Sequence, residues 1–213
     1  MPREMIFIQK MKRLKEIADI YIGTTFRYKV VPTNRGNIRV VQMKDLREID
    51  SNRIDAKDAV HIEGVDDLRE RQELEVGDIL FRSRGLTTTA RLLSKKAGAT
   101  IVASPIFIIR LKSELAIPRY LVWWINQPSS QAYFRSYSDS SLIRIVSKKT
   151  LADLEVALPP IKNQEKIADF YDLAIKEQRL LAEIRINRSH YAHKIMRQMV
   201  ADTTDHRQLN INE

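Results

Sequence analysis

The sequence predicts an α+β fold: a compact mixed α/β domain followed by one long coiled-coil helix. Three observations carry this. Residues 163–200 contain no Gly and no Pro and place an apolar residue every three or four positions, the period of a helix. Leu158-Pro159-Pro160-Ile161 punctuates the chain just before that stretch. Upstream of it, short β-branched and apolar runs alternate with turn signals. The expected division is a domain over residues 1–160, a long helix over 161–200 and a flexible polar tail over 201–213.

The elements follow in order. Leu14, Ile17, Ala18 and Ile20 form a short helical face that ends near Gly23. Residues 38–43 and 59–62 read as strands. Leu74-Glu75-Val76-Gly77-Asp78 is a turn that feeds a buried strand, Ile79-Leu80-Phe81. Residues 90–93 and 100–111 are further strands, with Pro105 at a bend or edge. Residues 118–126 form a helix with Pro118 in its first turn. Residues 129–137 form a second short helix, and 142–146 a strand. Ser147 is placed to cap a helix over 148–154, and Val156-Ala157-Leu158 closes the domain. The segment 163–200, roughly 38 residues, spans about 57 Å at 1.5 Å per residue.

Composition bounds the function. Apolar residues make up 44% of the 213, enough for a core. No 18-residue apolar run is present, so no spanning helix is expected. Residues 1–15 lack the apolar stretch of a signal peptide. There is no cysteine, which excludes disulfides, thiolate zinc sites and cysteine nucleophiles. The chain reads as cytoplasmic. Its net charge of +9 is unevenly spread. Residues 162–213 hold 9 Lys/Arg and 8 Asp/Glu, and residues 1–161 hold 27 and 19. The helix is near neutral and the domain is basic, which points to a polyanion, nucleic acid above all.

No motif for catalysis is present. The six glycines, at 23, 36, 64, 77, 85 and 98, form no phosphate-cradling loop, so no nucleotide cofactor is expected. His190 and His193 stand three apart on the helix with no third ligand nearby. Asp66-Asp67 reads as a solvated loop or helix start, and no metal site is expected. Pro159-Pro160 lacks the acidic or amide residue before it and the aromatic after it that an amino-methyltransferase motif requires.

Two segments can meet DNA. From Arg82 to Lys96 stand five cations and no acid: Arg82, Arg84, Arg91, Lys95 and Lys96, with Ser83, Thr87 and Thr88 among them. Cations neutralise phosphates and release counterions; arginine also forks onto guanine, and hydroxyls serve phosphate or base. The alternative is an ordinary polar hairpin. The second segment contains Arg135, Ser138, Ser140, Ser141, Arg144 and Lys148; its alternative is a Ser-rich turn with Tyr133, Phe134 and Tyr137 in the core. The polar turn Asn34-Arg35-Gly36-Asn37-Ile38-Arg39 is a weaker third candidate. Trp123 and Trp124 are expected to supply core packing rather than base stacking.

Along the helix, Ile167, Phe170, Ala174, Glu177, Leu181, Ile184, Arg188, Tyr191 and Ile195 alternate spacings of three and four, and seven of the nine are apolar. This is a coiled-coil seam with polar breaks at Glu177 and Arg188. The expected use is a dimer interface, because a helix this long outruns a domain of about 160 residues, with a radius of gyration of roughly 15 Å.

The assembled pattern resembles a known family. Leu14-Lys15-Glu16-Ile17-Ala18-Asp19-Ile20 with Gly23 resembles its opening segment. Gly77-Asp78-Ile79-Leu80-Phe81 with Arg84-Gly85 resembles its central strand and loop. Tyr120-Leu121-Val122-Trp123-Trp124-Ile125 is similar to its helical motif. Leu154-Glu155-Val156-Ala157-Leu158-Pro159-Pro160-Ile161 with Gln164 and Ile167 resembles its closing motif. The family is the specificity subunit of type I restriction–modification systems. The resemblance implies a noncatalytic subunit whose target-recognition domain, here residues 1–160, reads one half of a bipartite site in double-stranded DNA. It implies partners as well: DNA adenine methyltransferase subunits, which use S-adenosylmethionine, and a restriction nuclease or translocase subunit. The chain itself would hold no cofactor. Such subunits usually carry two recognition domains and two long helices; this chain has one of each, a half-size form expected to make a homodimer through its helix. Ser140 and Ser141 stand where the family often has Gly. The alternative is a nonspecific DNA-binding accessory or a repressor-like protein outside restriction.

Overall fold

The computed structural model describes residues 10–27, 31–33, 36–46, 53–56, 59–62, 73–96, 98–137 and 143–209. It divides into two units, Met1–Asp172 and Leu173–Glu213.

The first unit is built on a five-stranded sheet. Its strands are β2 (Ala18–Ile22), β4 (Arg53–Asp55), β6 (Ile79–Arg82), β8 (Thr89–Lys95) and β10 (Ile106–Leu111), in the order β2-β10-β6-β8-β4. All neighbours are antiparallel except β4 and β8. Phe107 lies opposite Phe81 and Ile108 opposite Leu80, and the twofold side-chain alternation of a strand sorts these residues onto two faces. Ile79, Phe81, Ala90, Leu92, Phe107 and Ile109 enter one core. Leu80, Leu93, Ile106 and Ile108 enter the other. A strand buried on both faces reads as a continuous apolar run, as Ile106-Phe107-Ile108-Ile109 does.

Helices cover the first core: α1 (Leu14–Ile17), α2 (Pro118–Asn126), α3 (Pro128–Ser136) and α4 (Lys148–Ala152). Tyr120, Leu121, Val122 and Ile125 of α2, Phe134 of α3 and Leu151 of α4 point into it. Ser147 caps α4, its hydroxyl accepting from Thr150 N–H at 3.0 Å, as the sequence leads one to expect. The helical face expected over 14–20 is shorter. Leu14 and Ile17 are buried on α1, but the chain then extends into β2. Ala18 and Ile20 are buried while Asp19 is exposed and Tyr21 half-buried, an alternation that hydrogen bonding to β10 selects over a helix.

Pro105 does more than bend one strand. It separates β9 (Ala99–Val102), which joins β3 (Ile38–Val41) and β5 (Val60–Ile62) in a three-stranded sheet, from β10 in the main sheet. The Ser104–Pro105 peptide is cis. Residues 73–78 form a tight turn, with Gly77 at φ +102°. Buried Asp78 accepts from Glu75 N–H at 2.8 Å. The Arg110 guanidinium donates to both Asp78 oxygens, at 2.8 and 2.7 Å, and to Glu75 at 2.6 Å. Its bonding to Asp78 raises its pKa against the opposing effect of burial.

Near the junction, β1 (Lys10–Arg13) pairs antiparallel with β12 (Glu155–Leu158). The long helix α5 runs over Ile161–Leu209, 49 residues. It begins at the proline pair and continues past Val200, since no Gly or Pro stands in 201–209 to end it. Its first turns, to Asp172, belong to the first unit. Gln164 is fully buried there. Its amide donates to Leu115 O and Pro159 O, both at 2.8 Å, and its carbonyl accepts from Ile117 N–H at 3.1 Å. Arg119 donates to Asp169 and Asp172 at 2.7 Å, and Arg53 also reaches Asp172 at 2.7 Å. The second unit holds the rest of α5. Among the described residues, no helix is long and apolar enough to cross a membrane.

Candidate nucleic-acid interface

The two cationic segments meet. The connection from β6 to β8 contains a two-residue strand, β7 (Arg84–Gly85), which pairs antiparallel with β11 (Arg144–Ile145). Gly85 lies opposite Arg144 and Arg84 opposite Ile145. Val146 N–H donates to Ser83 O at 2.8 Å and extends the ladder. Gly85 sits at φ +144°, and a Cβ there would run into the Arg82 guanidinium. Arg82 itself donates through Nε to Arg84 O at 3.1 Å. At the far side of the connection, the Thr88 hydroxyl donates to Gln131 Oε1 at 2.9 Å, which ties the loop to α3. Hydrogen bonds between segments distant in sequence thus hold a tip on which Arg84 and Thr87 are exposed and Arg144 is half-buried. Exposed Arg135 lies on α3 and exposed Lys148 at the first turn of α4, on either side of β11 in the chain.

Other expected contact residues stand elsewhere. Arg91 is only 4% exposed; its position opposite Leu80 turns it into the sheet, not toward solvent. Ser83 and Thr88 are also buried, their hydroxyls bonded to Pro105 O and Gln131. All three side chains are buried in the structure, and the Ser83 and Thr88 hydroxyls hold the loop from within. Lys95 and Lys96 are at the opposite end of β8 from the tip, about 20 Å away at 3.3 Å per residue, and Lys96 is paired with Glu73 at 3.0 Å. The cationic run of the sequence is therefore not one patch. Ser138, Ser140 and Ser141 lie outside the described residues. So do Asn34 and Arg35 of the third candidate; Arg39 is half-buried within β3. Trp123 and Trp124 pack beside Tyr120, with ring centroids 5.4 and 6.1 Å from it, and Trp124 Nε1 donates to Glu155 O at 2.9 Å.

The tip carries apolar residues that the cation count passes over. Leu86 is 70% exposed, and Ile143 and Ile145 are exposed too. An apolar residue inside a Gly- and Thr-rich connection was the available signal. A cleft of about 490 Å³ lies on another part of the domain, lined by Arg13, Trp124, Tyr133, Tyr137, Asp153 and Glu155 among others. Burial raises the Tyr133 pKa, and the bond from Lys15 lowers that of Asp153. Among the described residues no three His, Cys, Asp or Glu side chains converge as metal ligands. His193 Nδ1 donates to Ser189 O at 2.7 Å.

The seam residues divide as well. Ile167 packs against the domain core beside fully buried Ala168, where it anchors the start of α5. Phe170, Ala174, Glu177, Leu181, Ile184, Arg188 and Tyr191 are exposed, and Ile195 is half-buried.

A mixed α/β domain that presents a cationic tip on a short ladder and continues into a long helix has the features of a DNA-recognition domain. The comparisons place it further. The family model described as the type I restriction modification DNA specificity domain matches residues 9–186, and the chain belongs to that family. It is similar in fold to the crystal structure of the HsdS subunit from Thermoanaerobacter tengcongensis, at 16% identity and a TM-score of 0.53, over 84% of this chain and 40% of that one. It is similar also to the type I restriction–modification S subunit from M. genitalium, at 15% identity and a TM-score of 0.54, over 91% and 47%. A third neighbour, from work on complex assembly and conformational transition of the type I R-M system, has 15% identity and a TM-score of 0.56 over 88% and 45%. The chain spans less than half the length of these solved chains. No curated protein matches it.

Proposed function

We propose that the chain acts as a noncatalytic specificity subunit through its one recognition domain. It reads one half of a bipartite site in double-stranded DNA and recruits adenine methyltransferase subunits, and with them a restriction nuclease where one is present. A second recognition domain comes from another copy, joined through α5. The observation that carries this reading is the β7–β11 ladder, which joins two cationic segments distant in sequence into one tip. The contact set is Arg82, Arg84, Thr87, Arg135, Arg144 and Lys148, a combination of phosphate-positioning cations with donors able to read base edges. Family membership supports the assignment of specificity to this domain.

Methylome sequencing of a host carrying the partner methyltransferase, with and without this gene, tests the reading. The expected result is a bipartite methylated motif that disappears with the gene. An unchanged methylome would favour a nonspecific accessory or repressor-like role.

A further inference from the structure

We infer that the β7–β11 tip recognises thymine C5-methyl groups in the major groove through an apolar face made by Ile143, Ile145 and Leu86. The inference rests on the DNA reading above and goes beyond it by naming the chemical group recognised and the side chains that recognise it.

The ladder places these residues. Ile145 stands directly opposite Arg84, and Gly85 opposite Arg144. Opposed residues in a ladder point to the same side, and so do residues two apart along a strand. Ile143 is 48% exposed and Ile145 58%, with half-buried Arg144 between them. This is the alternation of a strand with one side turned outward, and that side carries Ile143, Ile145 and Arg84. Just past Gly85, Leu86 is 70% exposed. Ser83 and Val146, the next positions toward the domain, are buried, so the apolar face ends where the core begins.

Clustered exposed apolar side chains mark an interaction surface, and charge selects the occupant. Arg84 lies on the same face, and Arg82 and Arg144 flank it. Residues 1–161 carry 27 Lys/Arg against 19 Asp/Glu, a balance that suits a polyanion. Shape agrees, since a two-stranded ribbon fits the B-DNA major groove, about 12 Å wide. The base edges in that groove offer donors, acceptors and a single kind of apolar group, the thymine methyl. An isoleucine or leucine set on an amine or carbonyl edge desolvates that group without bonding it. Set on a methyl, it removes two apolar surfaces from water. The face therefore favours A·T pairs over G·C pairs beneath it, while Arg84 seats the ribbon on a neighbouring phosphate or guanine.

Uracil supplies the test, because it pairs as thymine does and lacks only the C5 methyl. The probe is a duplex carrying the methylated motif, with uracil in place of thymine at one position at a time. The protein is the full chain assembled with its partner methyltransferase, and binding is read by fluorescence anisotropy. Affinity is expected to fall roughly fourfold for each methyl that the tip covers, the value of one buried apolar carbon, with the salt slope unchanged. Leu86→Ser combined with Ile143→Ser and Ile145→Ser is expected to bind thymine and uracil duplexes equally. A cooperative thermal melt shows that this variant is folded; should it not be, Leu86→Ser alone carries the comparison. Motif-specific binding that no uracil substitution alters overturns the inference and leaves the specificity reading standing. A folded variant that keeps the wild-type thymine preference does the same, and if it also loses the methyltransferase, the face belongs to a protein partner. An assembled complex with no preference for the motif overturns the specificity reading and this inference together.

Discussion

Ile145 pairs with Arg84 across a two-residue antiparallel ladder, although 61 positions separate them in the chain. This contact turns two ordinary polar loops into one presenting surface. It also orients them, because Gly85 opposite Arg144 is the point where the backbone takes a φ that only glycine adopts readily.

Arg84 and Arg91 are expected to behave differently when replaced by alanine. Loss of exposed Arg84 should weaken DNA binding and reduce the slope of log K against log salt by about one if it meets a phosphate. If it forks onto a guanine, binding should fall by about 1–3 kcal/mol at one base position. Loss of buried Arg91 should instead lower the melting temperature, because truncating a buried side chain leaves a cavity in the packed domain. Fluorescence anisotropy across a salt series and thermal denaturation separate the two. An Arg91 variant of normal stability with weakened DNA binding would return that residue to the interface.

Gly85→Ala is expected to impair recognition more than folding. The backbone strain is about 1–3 kcal/mol, and the new methyl displaces the Arg82 side chain from Arg84 O. The prediction is lost DNA affinity with a cooperative melt retained. Unchanged affinity would show that the loop tolerates rearrangement.

Leu86→Ser should alter base preference and leave the salt slope intact. Leu86 carries no charge, so it releases no counterions, whereas an exposed apolar side chain among cations can pack on a thymine methyl. Selection from a randomised DNA pool, compared between wild type and variant, reads the outcome. The same selected sequence from both proteins would remove Leu86 from the recognition surface.

Gln164→Leu should loosen the start of α5 from the domain. Three hydrogen bonds are lost and Ile117 N–H, Leu115 O and Pro159 O are left without their partner, at roughly 1–3 kcal/mol for each buried group that finds no other. Hydrogen exchange should rise over residues 115–117 and 159–168 in particular. Protection equal to that of the wild type would mean that Ile167 and Ala168 anchor the helix by packing alone.

Much of the fold is legible in local chemistry. Pro118 and Asn126 bound α2 as the sequence leads one to expect, Ser147 announces its cap, and the run free of Gly and Pro announces α5. Each of these is decided by neighbours within a turn or two, where proline geometry, side-chain caps and helical period act directly. Residues 18–22 are not legible in this way, because five residues can satisfy either period and only β10 decides between them. The fate of the cations is likewise nonlocal. Sequence by itself determined that the domain is basic, that a long seam-bearing helix follows it, and that Arg84 and Arg144 stand in polar connections. Tertiary structure alone decided that Arg84 and Arg144 share a tip while Arg91 turns inward and Lys95 lies a strand's length away. Strand register sets these positions, and it depends on hydrogen bonds and packing between segments that local sequence does not connect.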